Sequence, residues 1–132
     1  MEILLGNLAG TFIPGFLLSF TRQTAISQGA TALVMVKLAD TPQSIFILSI
    51  FCGILMFTAV ELYKRTKNPL GIFVCVPVFI LSGFEHCIAN MFYFTVAEMW
   101  SAKAFGYLII MTLGNAVGGM FIPLIRKGFI KD

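Results

Sequence analysis

The run Gly83-Phe84-Glu85-His86-Cys87-Ile88-Ala89-Asn90 sets the single histidine of the chain beside a glutamate, deep in an apolar stretch long enough to cross a membrane. Titratable groups are costly in hydrocarbon and are tolerated mainly where they line a protein-enclosed path or cavity. His86 can also give and take a proton near neutral pH, which none of its apolar neighbours can do. If the backbone around it is helical, Ser82, His86 and Asn90 are spaced four apart and form one polar stripe, expected to face a pore. Glu85 falls off that stripe, so a structural role at a helix or subunit contact is expected, with its carboxyl protonated or hydrogen-bonded. Cys87 adjoins His86, but helix neighbours point about 100° apart and do not converge on one ion. Cys52, Cys75 and Cys87 lack metal-ligand spacing and read as small buried hydrophobes, so no metal or other cofactor is expected.

The elements that carry this segment are membrane spans. Hydrophobic residues make up 58% of the 132-residue chain and charged ones 11%, with a mean hydropathy of +0.94, too few polar side chains to cover a water-soluble globule. Four apolar stretches, near 3–20, 45–63, 69–97 and 104–125, approach the roughly twenty residues needed to cross the hydrocarbon. Met1-Glu2 puts an acid where a signal peptide needs base, so the first stretch reads as a retained span. Lys64, Arg65 and Lys67 follow the second span; Arg126, Lys127 and Lys131 follow the fourth. Four alternating crossings put both groups on one side, cytoplasmic by the positive-inside rule, with both termini there. The opposite loops carry Arg22, Lys37 and Lys103, two of them offset by Asp40 and Glu98. The net charge of +3 is thus a topology signal, and nothing in it suggests nucleic acid as a partner.

A repeat organises the single membrane domain, residues 1–132. Leu5-Gly6-Asn7-Leu8-Ala9-Gly10 recurs as Leu113-Gly114-Asn115-Ala116-Val117-Gly118, and each copy is followed by Phe-Ile-Pro. First and last spans would then each close a three-helix unit, with successive units inverted across the bilayer. Spans two to four make one complete unit, and the first span is the last helix of the other, so two further spans are expected upstream of Met1. Gly114 and Gly118 share a helix face that admits a close neighbour, and Asn115 is expected either to reach the third span or to bond another helix. The third span is interrupted by Gly71, Pro77 and Gly83, which predicts a discontinuous helix near mid-membrane.

The Gly83–Met91 segment, the Leu-Gly-Asn-Ala-Val-Gly-Gly of the last span and the lysine before the second span together resemble the C-terminal part of the formate/nitrite transporter family, from its third transmembrane helix onward. The resemblance implies an aquaporin-like inverted-repeat protomer, here all-α with four transmembrane helices, the third broken, and lacking the first two. It also implies assembly as a homo-pentamer and passage of small monovalent anions such as formate or nitrite, with protons, across the cytoplasmic membrane. His86 matches the family's central pore histidine, Lys37 the lysine that attracts the anion and Asn115 the last-span asparagine; Phe79 and Met56 fall where the family builds a hydrophobic constriction. The family's second helix has no counterpart in the chain, and Gly53 stands where many relatives place an asparagine.

Electrostatics makes a proton necessary to such a path. A bare carboxylate in a low-dielectric constriction faces a penalty of tens of kcal/mol. Proton transfer from a histidine near pKa ~6.5 to a carboxylate near ~4 is uphill by about 2.5 units, roughly 3.4 kcal/mol. Desolvation raises a carboxylate's pKa and lowers a histidine's by up to about 3–5 units each, which reverses the balance. The expectation is an anion protonated near His86 that crosses as a neutral acid. A truncated, non-transporting fragment is the alternative. An enzyme is disfavoured, since no paired carboxylates, nucleophile with a base or metal cluster stand out.

Overall fold

Helix breakers and caps in the sequence set the boundaries of the elements. The computed structural model describes residues 2–129, which form six helices: α1 (Glu2–Leu18), α2 (Thr24–Ala39), α3 (Pro42–Thr66), α4 (Leu70–Leu81), α5 (Cys87–Val96) and α6 (Ala102–Phe129). Lys131, counted above among the basic residues after the last span, lies outside the described residues. Pro42 opens α3 at a position whose N–H has no helical partner to lose, and Lys64 and Arg65 close it against the negative end of the helix dipole. Ser101 Oγ accepts the Ala104 N–H at 3.1 Å at the start of α6, and Arg126 and Lys127 sit in its last turn. Of all six, α3 and α6 are long and apolar enough to cross a membrane.

Two features depart from the sequence reading. The connection that should carry Lys37 as a loop residue holds a 16-residue helix, α2, with Lys37 in its last turn. At 1.5 Å per residue it extends about 24 Å, short of a bilayer's hydrocarbon thickness, and its interspersed Thr, Ser and Gln keep it from reading as a span. The apolar stretch 69–97 is discontinuous, but the break comes at Ser82–His86 alone. Pro77 stays inside α4, and Gly71 packs against Leu62. Gly83 ends α4 at φ +68°; its N–H donates to Ile80 O at 3.2 Å and the Phe84 N–H donates to Phe79 O at 3.0 Å. That pair of bonds is a Schellman cap, which requires a left-handed residue at Gly83's place.

The chain divides into two compact units. One comprises Met1–Pro42 and Cys87–Ile109. Within it α5 packs on both α1 and α2, burying Phe94 and Val34, and Gly15 lets Thr95 and Val96 approach α1. Ser27 Oγ donates to Val96 O at 3.4 Å, and the Tyr107 hydroxyl donates to Asp40 O at 2.6 Å. The other unit comprises Gln43–His86 and Ile110–Asp132, built on the α3–α6 crossing. There a Cβ on Gly114 would sit 2.8 Å from Phe46 O, and one on Gly118 or Gly53 would collide with the facing backbone at Ile50 O or Asn115 O. The absence of side chains on both helices is what lets their backbones touch. Gly6 and Gly10, their repeat counterparts in α1, face open space: a Cβ added at either would meet nothing within 4 Å.

Candidate functional site

The segment Ser82–His86 leaves the helical ladder in the middle of the apolar stretch 69–97, so its backbone groups need partners from elsewhere. The cap on α4 occupies the N–H groups of Gly83 and Phe84. The Glu85 N–H donates to Leu48 O at 3.4 Å, and Glu85 O accepts from Asn115 Nδ2 at 2.8 Å. The same Asn115 nitrogen donates to Ser49 O in α3, also at 2.8 Å. One side-chain amide of α6 therefore ties the broken segment and α3 together. Of the two roles open to Asn115 from sequence, reaching the third span and bonding a neighbouring helix, it performs both at once. Glu85 is 3% exposed and holds its place through this backbone latch.

His86 projects from the end of the latched segment. Its ring stacks on Phe79, with centroids 5.6 Å apart and planes at 27°. It lines a cavity of about 340 Å³ together with Gly53, Met56, Phe57 and Val60 of α3 and Asn115 and Gly119 of α6. The α3 members are spaced i, i+3, i+4 and i+7, one face of a helix, and the α6 members i and i+4. This places an imidazole against a wall otherwise made mostly of hydrocarbon, with an aromatic ring stacked on it and a flexible thioether nearby. Such a surface offers a small solute an apolar wall that carries one titratable ring.

The structure brings together His86, Asn115, Met56 and Phe79 in one unit. It does not support the helical stripe of Ser82, His86 and Asn90, because the residues between Ser82 and Cys87 are not helical: Ser82 caps α4 and is exposed. Asn90 is buried in α5, in the other unit. Lys37 also belongs to that unit, where its ammonium lies 6.0 Å from the centre of the Tyr93 ring. Phe57, Val60 and Gly119 escaped the sequence reading, although their spacing from Gly53, Met56 and Asn115 was the available signal. Gly53 lines the cavity because α3 and α6 cross there in backbone contact, which leaves no room for the amide found at that place in the resemblance.

Two apolar helices of membrane length, a helix break inside a third apolar stretch and a histidine-lined cavity beside that break are features shared with membrane transport proteins. Residues 1–126 match the model of the formate/nitrite transporter family, and the chain belongs to that family. It is 30% identical to the formate channel FocA of Haemophilus influenzae over 89% of this chain and 53% of that protein. It is likewise 30% identical to the nitrite transporter NirC of Escherichia coli, over 87% of this chain and 48% of that protein. A shorter match, 43% identical, covers 37% of this chain and 20% of a probable formate transporter of Methanothermobacter thermautotrophicus. The chain spans about half the length of the curated relatives that it matches across most of its own length. No solved structure matches it.

Proposed function

We propose that the chain supplies the histidine-bearing wall of a conduit for small monovalent anions, formate or nitrite in size and charge, across the cytoplasmic membrane. The observation that carries this is the cavity of His86, Met56 and Asn115, set beside a helix break whose backbone is latched by Asn115. Lys37 attracts the anion, His86 protonates it directly or through water, and the neutral acid passes the apolar constriction of Phe79 and Met56. The protomer is aquaporin-like with inverted repeats, forms a homo-pentamer and keeps both termini in the cytoplasm. Membership of the family and the names of the relatives support the anion; the apolar lining supports the need for a proton.

The test is His86→Asn in the native gene product reconstituted in liposomes, with formate flux followed from pH 5 to 8. Asparagine keeps a polar group but has no proton to give in this range, so flux should lose its pH dependence. Unchanged pH dependence would remove His86 from the mechanism.

A further inference from the structure

At the far end of the α3–α6 crossing, one carboxylate holds two guanidiniums. Glu61 Oε1 accepts from Arg65 Nε at 2.7 Å and from Arg126 Nη1 at 3.1 Å, drawing an arginine from each helix end to the same oxygen. Both arginines remain partly open, with side chains 61% and 42% exposed. A guanidinium has five N–H donors, and each of these uses one on Glu61. Along residues 61–70 and 122–128, Lys64, Arg65, Lys67, Arg126 and Lys127 face Glu61 as the sole acid. The ends of α3 and α6 add about half a negative charge each, which still leaves a clear positive surplus.

The same arginines line a cavity of about 250 Å³ together with Thr58, Leu62 and Ile122, and Phe57, the lining residue of α3 farthest from Arg65, forms its floor. Phe57 lies two turns inward of Arg65 on α3, about 12 Å along the helix, whereas the headgroup layer is about 5–8 Å thick on each side of the bilayer. A floor at hydrocarbon depth under a basic rim at phosphate depth matches an amphiphile with an anionic head. A soluble anion would gain nothing from the floor. We propose that this cleft binds the phosphate headgroup of an anionic phospholipid, with Arg65 and Arg126 donating to the phosphate and the apolar floor receiving the start of an acyl chain. Glu61 holds the two guanidiniums side by side while leaving their remaining donors for the lipid.

The test uses the purified chain in detergent with equimolar phosphatidylglycerol and phosphatidylcholine of identical acyl chains, and reads retained lipid by native mass spectrometry. Phosphatidylglycerol should be retained about tenfold or more over phosphatidylcholine, a preference that R65Q/R126Q abolishes. K64Q/K67Q removes as much charge outside the cleft and should reduce the preference less than about threefold, by the diffuse surface attraction alone. Circular dichroism should give equal helix content in all three proteins. Inorganic phosphate at equal ionic strength should fail to displace the lipid. Equal retention of the two lipids, equal loss in the two variants, or displacement by free phosphate would each overturn the assignment.

Discussion

Gly118 and Gly119 are neighbours on one helix, and the structure assigns them opposite responses to the same added methyl group. A Cβ at Gly118 would lie 2.9 Å from Ile54 N and collide with Ile50 O, where ordinary contact is 3.4–4 Å. A Cβ at Gly119 would meet only Gly53 O at 4.0 Å. The atoms facing Gly118 are backbone and cannot rotate away, and relieving the collision with Ile50 O forces α6 back by about one ångström or more in Gly118→Ala. Such overpacking costs about 1–3 kcal/mol. The retreat also stretches both 2.8 Å bonds of Asn115 past hydrogen-bonding range, adding about 0.6 kcal/mol for each in a membrane protein. The sum is about 2–4 kcal/mol, against a change of about zero to one kcal/mol in the stabilising direction for Gly119→Ala, from helix propensity. Cys52, buried in α3, is a built-in reporter. Maleimide labelling of its thiol, read by peptide mass spectrometry along an SDS titration in dodecylmaltoside, should shift to lower SDS for Gly118→Ala and stay or rise for Gly119→Ala. Coincident midpoints for the two variants would refute the backbone-contact account of the α3–α6 crossing.

Three further outcomes are expected. Asn115→Ala withdraws both latch bonds and should destabilise the protein by about 1–2 kcal/mol in the same SDS assay; it should also lower formate flux, and wild-type flux from this variant would detach the latch from the conduit. Lys37→Gln should raise the KM for formate about threefold to tenfold at low ionic strength, with the difference shrinking in high salt; a salt-independent effect would count against attraction of the anion. Glu98 holds the left-handed conformation after α5, at φ +54°, with Met99 N–H on Phe94 O at 3.0 Å, so Glu98→Gly should stabilise the unit by about 0.5–1 kcal/mol in thermal unfolding.

How far the sequence could be read depended on whether the determining signal was local. Gly83 carried the break in the third span on its own, because a left-handed cap depends on a single residue having no side chain. Gly114 and Gly118 announced a close crossing, since two small residues one turn apart have few other uses on a membrane helix. The partner face did not announce itself: Gly53 is a lone glycine, and its purpose appears only once α3 is laid across Asn115 and the missing Cβ is seen to be the contact. The stripe of Ser82, His86 and Asn90 misled for a related reason. Spacing by four predicts a shared face only along an unbroken helix, and the same Gly83 that makes the segment interesting removes the condition. Helix α2 was invisible because 16 mixed residues neither fill a span nor alternate strongly, so its formation rests on packing against α5, which no local pattern encodes. The latch follows from these cases taken together. A chain that breaks its helix within an apolar stretch must bring donors and acceptors from other helices to the exposed backbone, and the amide that does so here is supplied by α6, thirty residues downstream of Glu85. The titratable ring and its anchoring amide are thus physically coupled, and a change at either should be felt at the other.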